Sequence, residues 1–294
     1  MTKLEYKINS ELREIKHFHK TDSPISQVSN KRDHDIRQDI QKIAKDGREF
    51  GIGVTANKKG DVGTWTNANV AKIVGFYKEK GLKDGTIINM VSSLRSFLRE
   101  TGRTNITATN NELGLKREIE YKDKSLEAKN ININDKLNYF MVKDINVYVQ
   151  LKLAALAGLR REESIHAGLA FVKGYDIVKD NKLILQGSWC KNNQPRIIEL
   201  SAEKIKEIKN LQDYLKTGGK YKMDRDLKQE KNHLSNTIRS QGFNIHACRH
   251  SYAKEEFLTL TDSNKGLIEK EAKQAVSEKL GHHRIEVTRV YLSK

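Results

Sequence analysis

Apolar residues recur at i, i+3, i+4 and i+7 in three early stretches of the chain, the period of a packed amphipathic helix. Ile36, Ile40, Ile43 and Phe50 share one face of the first, which ends around Gly51 and Gly53. Val70, Ile73, Val74 and Tyr77 hold the second, opened by Thr66 and closed by Gly81. Ile87, Val91, Leu94 and Leu98 hold the third, from Asp84 to Gly102. Before them a short helical pattern (Leu4, Ile8, Leu12, Ile15) dissolves into Thr21–Asn30, rich in Ser, Asn and Asp around Pro24. Residues 1–30 therefore read as an N-terminal arm or linker, 31–120 as a small helical domain, and the polar, lysine-rich 121–133 as a linker.

Residues 134–294 predict a larger domain. Ile145–Leu159 is helical, and Lys182–Trp189 and Pro195–Leu200 read as two strands separated by an Asn-Asn turn signal. Helical patterns return at Ala202–Lys216, His233–Arg239, Cys248–Leu260 and Ile268–Leu280, the last with Ile268, Ala272, Ala275 and Leu280 on one stripe. No internal repeat is present. The expected fold class is mainly α with a small β-sheet.

Composition narrows the functional classes. With 37% hydrophobic and 31% charged residues in 294, the chain reads as soluble and globular. Its longest apolar run, Leu153–Leu159, falls far short of the roughly 20 residues of a membrane span. Met1–Lys20 mixes charges with no apolar block, unlike a signal peptide. Two cysteines, Cys190 and Cys248, do not make a disulfide framework, so the expected compartment is the reducing cytoplasm. A formal charge of +16 points to a polyanionic partner, nucleic acid before an anionic membrane. A basic amphipathic helix with large apolar residues opposite, or a lipidation motif, would favour membrane; the sequence offers neither.

The chain has no Walker-type phosphate loop, no Gly-x-Gly-x-x-Gly and no Asp-x-Asp cluster for a two-metal nuclease. Four short segments rich in Arg and His remain. They are Gly158-Leu159-Arg160-Arg161-Glu162-Glu163, Lys191 at the turn between the two strands, His246-Ala247-Cys248-Arg249-His250, and Leu280-Gly281-His282-His283 followed by Thr288 and Tyr291. Each has a plain structural reading: a helix end, a solvated hairpin lysine, core histidines, a surface tyrosine. His246 and His250, with Cys248 and His283, also suggest zinc, but the Glu of a zincin is missing and Arg249 stands between them. Arg161, Glu162 and His283 read as neighbours of the chemistry, and Tyr252 as a packing residue.

Taken in order, these segments resemble the tyrosine recombinase (phage integrase) family. Gly158, Arg160 and Glu163 match its Gly-x-Arg-x-x-Glu, and Lys191 lies five residues before Arg196, the register of that family's hairpin lysine. His246 and Arg249 match its His-x-x-Arg, and His282 precedes Tyr291 by nine positions, as its Leu-Gly-His precedes the nucleophile. The resemblance covers 134–294 by motif; the helical domain matches by position and type only. It implies a helical core-binding domain followed by a catalytic domain with Arg160, Lys191, His246, Arg249, His282 and Tyr291 as catalytic residues. Glu163 and His250 would support them.

Chemistry agrees with those residue types. A phosphodiester under in-line attack gathers negative charge that planar guanidiniums grip bidentately, as Arg160 and Arg249 would. Tyr291 would be the nucleophile, His246 its base, Lys191 the acid for the leaving 5′-oxygen, and His282 a donor to the phosphate. The resemblance implies a 3′-phosphotyrosine intermediate, with neither metal nor ATP as cofactor. It further implies double-stranded DNA with inverted-repeat core sites as partner, a tetrameric synapse of the protein with itself, and accessory DNA-bending or directionality factors. The protein would be the integrase of a mobile genetic element, nucleoid-associated when on DNA. Lys72, Lys78, Arg95, Arg99 and Arg103 are candidate phosphate contacts or equally a solvated face. Where the family commonly carries a further tail beyond the tyrosine, only Leu292-Ser293-Lys294 follow here, so either a contact between subunits would fall to another element such as the N-terminal arm, or the chain is truncated or minimal. The alternatives are a type IB topoisomerase-like enzyme and a non-cleaving DNA-binding accessory protein.

Overall fold

The computed structural model describes residues 30–52, 65–100, 106–118, 122–217, 221, 224–262, 268–282 and 285–292. The expectations for the N-terminal arm, Arg103 and His283 lie outside them. The chain divides into two compact units, Met1–Ile119 and Glu120–Lys294.

The first unit is built from α1 (Asn30–Glu49), α2 (Asn67–Glu79) and α3 (Asp84–Glu100). The apolar stripes meet: Ile40, Ile43, Val70, Ile73, Val74, Tyr77, Ile87, Val91, Leu94 and Leu98 are all at most 3% exposed, around a fully buried Trp65. Each buried aliphatic side chain there contributes about 1.5–3 kcal/mol. Phe50 departs from its expected stripe. It lies past the last residue of α1, is 45% exposed, and rests on Phe76. The segment 106–118 is tied down by side chains. Asn67 Oδ1 accepts from the amides of Thr107 and Ala108, Lys78 Nζ donates to the Gly114 carbonyl at 2.6 Å, and Arg95 donates to the Ala108 carbonyl and, at 2.8 Å, to Asn110 Oδ1.

The second unit contains α4 (Ile133–Lys143), α5 (Ile145–Ala157), α6 (Arg161–Val172), β1 (Val178–Lys179), β2 (Lys182–Leu185), β3 (Arg196–Glu199), α7 (Ala202–Thr217), α8 (Leu227–Arg239), α9 (Ile245–Thr261), α10 (Glu269–Lys279) and α11 (Ile285–Arg289). α5 is its central helix. Val147, Leu151 and Ala154 enter one core cluster while Val149, Leu153 and Ala157 enter another, so this helix packs into core on two sides. The stretch read as a linker differs from one. Leu126 is 4% exposed in the second unit's core, Ile131 packs beside it, and the Leu126 amide donates to Ser251 Oγ at 2.9 Å. The sequence reading missed α4 for the same reason: its apolar positions are diluted by Asn, Asp and Lys.

The sheet is antiparallel in the order β1-β2-β3, with Leu183 opposite Ile198 and Leu185 opposite Arg196. The first predicted strand is shorter than expected. It stops at Leu185, and 3₁₀ turns at Gly187–Trp189 and Lys191–Asn193 carry the chain to β3. α10 buries Ala272, Val276 and Leu280, whereas Ile268, expected on that stripe, precedes the helix and is 63% exposed. Among the described residues, no helix is long and apolar enough to cross a membrane.

Candidate active site

The end of α5 sets the first cationic group. Gly158 closes the helix at φ +59°, and a Cβ there would stand 2.4 Å from the Tyr252 ring. Tyr252 thus packs, and its contact needs glycine for both conformation and space. The turn delivers Arg160 to the N-terminus of α6, where Glu163 holds it twice: Oε2 accepts from the Arg160 amide at 2.8 Å and Oε1 from its guanidinium at 2.7 Å.

α9 starts at the N-cap Asn244, whose side chain accepts from the Ala247 amide. One turn of this helix then presents His246, Arg249 and His250. Arg249 is fully buried, donating to the Gly158 carbonyl at 2.5 Å, to the Leu280 carbonyl, and to His282 Nε2 at 3.2 Å. Burial, then Arg160 and Arg196, lowers its pKa to about 10, which leaves it charged at neutral pH.

α10 ends in a Schellman arrangement. The Gly281 amide, at φ +63°, bonds the Glu278 carbonyl, and the His282 amide bonds the Ser277 carbonyl. This places His282, whose Nδ1 lies 3.4 Å from the buried Thr288 hydroxyl of α11. With Nε2 accepting from Arg249, Nδ1 carries the proton. α11 then turns Tyr291 back into the unit at 7% exposure. Its hydroxyl is 3.1 Å from His246 Nε2. Its ring lies 4.5 Å from His250, 5.2 Å from His282 and 5.6 Å from the Arg249 guanidinium carbon.

All three histidines are held neutral near pH 7. Loss of solvent around the ring is the main cause for each, although His246 as a whole residue stays exposed. It acts with Arg249 and Arg160 to bring His246 to about 4 and His282 to about 3, and with His246 to bring His250 to about 4. His246 can therefore accept a proton from the tyrosine hydroxyl it touches.

A cleft of about 640 Å³ opens over this cluster, lined by Arg160, Lys191, Arg196, His246, His282 and Tyr291. Arg249 lies buried alongside, Lys191 stands exposed on the 3₁₀ turn before β3, and Glu163 and His250 are buried behind. The structure thus brings six residues from those four segments together: the two arginines, the hairpin lysine, two histidines and the tyrosine. A cation-lined cleft with a tyrosine hydroxyl on a neutral base can seat an anionic ester and attack it.

Arg196 belongs to this site and was missed as a functional residue. No signal in the sequence marks it, because the inward face of Arg196-Ile197-Ile198-Glu199 is told only from the pairing with β2. Of the residues considered for zinc, Cys248 is packed in apolar core, where burial raises its thiol to about 12, and His283 lies outside the described residues. Among the described residues no group of His, Cys, Asp and Glu could hold a metal. In the first unit Lys72 and Arg99 are exposed, whereas Lys78 and Arg95 hold the 106–118 segment.

No family model matches the sequence, and no curated protein matches it. Solved structures do. Lambda integrase (75–356), as a dimer bound to a COC′ core site, is 14% identical, with 97% of this chain and 94% of that chain covered at a TM-score of 0.60. The Tn1549 transposon integrase (82–397), in complex with circular intermediate DNA, is also 14% identical, with 98% and 95% covered at 0.52. At this identity the likeness is one of fold: a mostly helical chain with a small sheet, as in those integrases.

Proposed function

We propose that this protein is a tyrosine site-specific recombinase that cleaves and rejoins DNA through a 3′-phosphotyrosine intermediate. The observation that carries the proposal is the Tyr291 hydroxyl, 3.1 Å from His246 Nε2, in a cleft walled by Arg160 and Lys191 with Arg249 buried alongside. A base poised on the phenol, cations for the phosphate and an ammonium for the leaving group are the parts that transesterification needs.

The step balances as follows. The Tyr291 oxygen bonds to phosphorus, its proton passes to His246, and the bond from phosphorus to the 5′-oxygen breaks as Lys191 protonates that oxygen. Arg160 and Arg249 stabilise the charge gathering on the non-bridging oxygens, the kind of preorganised term that is usually the largest in catalysis. Attack by a 5′-hydroxyl on the phosphotyrosine reverses the step onto the same or a new strand, and the ester retains the bond energy. His282 donates to the phosphate from Nε2 once the phosphate replaces its contact with Arg249 and the ring changes tautomer, its proton moving from Nδ1 to Nε2. The likeness in fold to integrases solved on DNA supports duplex DNA as substrate. In this reading the cognate site has inverted repeats, four protomers form the synapse, and accessory factors set direction.

The test is covalent capture. Protein is incubated with nicked duplexes of random sequence, adducts are isolated under denaturing conditions, and the attached DNA is sequenced. The expected result is an adduct on a defined sequence that Tyr291→Phe abolishes while DNA retention on a filter stays unchanged. An adduct that survives in Tyr291→Phe overturns the nucleophile. DNA retention without any adduct establishes a non-cleaving binder instead. Relaxation of supercoiled plasmid lacking the captured sequence establishes a topoisomerase.

A further inference from the structure

Arg196 is an unusual residue for its place. It occupies an inward position of β3, opposite the fully buried Leu185 and two residues from the fully buried Ile198, yet it is a cation only 7% exposed. A charge in such a place is costly unless every contact compensates it. Its contacts all end on groups that hold the cleft. One terminal nitrogen pairs with Glu163 Oε2, and the other donates to the Lys279 carbonyl at 2.6 Å. Its aliphatic stem lies against Gly281, where a Cβ would come within 2.8 Å of Arg196 Cδ.

We infer that Arg196 is a positioning residue for strand cleavage, acting through Glu163 on Arg160 and through the end of α10 on His282. This rests on the cleavage reading above. The first line of action is electrostatic. Glu163 is fully buried and touches two guanidiniums, Arg160 through Oε1 and Arg196 through Oε2. Two cations and one anion leave one positive charge from this trio, to which Arg249 adds another. Without Arg196, Glu163 would be neutralised by Arg160 alone, and the cleft would face the phosphate with Arg249 as its only uncompensated arginine. Arg196 thereby leaves Arg160 its charge for the phosphate.

The second line of action is geometric. Arg196, Arg160 and Arg249 donate to the last carbonyls of α10: Arg196 to Lys279, Arg160 to Leu280 at 3.2 Å, and Arg249 to Leu280. These carbonyls are the negative end of the helix and lack helical partners, so cations there are favourable. Arg196 also packs its stem on Gly281, the residue that turns the chain into His282 and whose carbonyl Arg160 reaches at 3.4 Å.

The test uses the duplex captured as covalent adduct, prepared with an ordinary diester at the scissile position and with an uncharged methylphosphonate there. Single-turnover adduct formation by the full chain is measured at saturating protein. Arg196→Met is expected to slow the diester about 10- to 100-fold, the usual scale for an outer partner of a site, and the methylphosphonate by at most a few fold. Arg196→Lys, which keeps the charge without the planar fork, should fall between. Adding Glu163→Gln to Arg196→Met should restore part of the diester rate, because it removes the buried anion left with Arg160 as its only cation. A fold staple predicts equal loss on both substrates and no rescue, and either result overturns the inference. If Arg196→Met does not fold, as judged by its thermal melt, the same ratio is read from Arg196→Lys. Failure of wild type to form any adduct overturns the cleavage reading itself. Wild-type cleavage with unchanged rates in Arg196→Met overturns this inference alone.

Discussion

A tyrosine gives up its proton near neutral pH only to a base that is itself unprotonated. The protein around the ring of His246, with Arg249 and Arg160 nearby, supplies that condition although the residue keeps an exposed edge. Its pKa stands near 4 rather than 6.5, with loss of solvent around the ring the largest cause and Arg249 and Arg160 next. The second-order rate of adduct formation at low DNA concentration reports the free enzyme's base. That rate should be flat from pH 7 to pH 5 and fall as pH drops through about 4. A limb near 6.5 would instead mark a solvated histidine. Stability has its own window. His246, His250 and His282 all have folded values below the unfolded 6.5, so the unfolded chain binds more protons between about 6.5 and 4. Their contribution is fully present above 6.5 and is lost as pH falls towards the folded values. The urea midpoint should drop across that range, and rates should be normalised to folded protein. At this scale the six candidate residues are picked out by the family resemblance, which their order and separations carry. Arg196 is not, since in Arg196-Ile197-Ile198-Glu199 the inward face can be told only from the partner strand.

Elements place these residues through close contacts that no hydropathy pattern reports. Gly158 must adopt a left-handed conformation and admit the Tyr252 ring, so Gly158→Ala meets strain and a clash together. Gly174, at φ +73° with nothing within 4 Å of a Cβ, is the matched control. Gly174→Ala should cost about 1 kcal/mol from backbone strain alone. Gly158→Ala should cost roughly twice that or more in thermal or urea unfolding. It should also slow adduct formation among the folded molecules, because Arg160 follows two residues later. Equal costs for the two variants would show that the ring contact constrains nothing. The same contrast explains which helices the sequence discloses. α1 to α3 each bury one apolar stripe, so their period is plain. α9 turns Arg249 and His250 inward beside Ala247, Tyr252 and Ala253 while His246 stays exposed in its first turn, and with polar residues buried its apolar period disappears. Its true start, four residues before Cys248 at the Asn244 cap, is a capping signal rather than a hydrophobic one.

At the scale of the molecule, the division of the chain near residue 120 coincides with the lysine-rich stretch, but Leu126 shows how an apolar anchor hides in polar sequence. The net charge of +16 predicts a polyanionic partner without saying which cations meet it. The first unit separates them by what their side chains already do. Lys78 and Arg95 are spent on carbonyls of the 106–118 segment, while Lys72 and Arg99 stand exposed. A duplex neutralised at roughly 6–10 phosphates should bind about 10³- to 10⁵-fold more weakly at 200 mM than at 50 mM salt. Each phosphate contact contributes about 0.9 to the slope of log affinity against log salt. Replacing Lys72 and Arg99 together by Ala should therefore flatten that slope by about 2 without moving the melting temperature. Replacing Lys78 and Arg95 by Met should lower the melting temperature, because the carbonyls they hold lose their donors. Titrations of the full chain against the captured duplex at several salt concentrations, with melts of each variant, decide the matter. A slope set by Lys78 and Arg95, with Lys72 and Arg99 silent in both measurements, would mean that those two let go of their carbonyls to meet the phosphates.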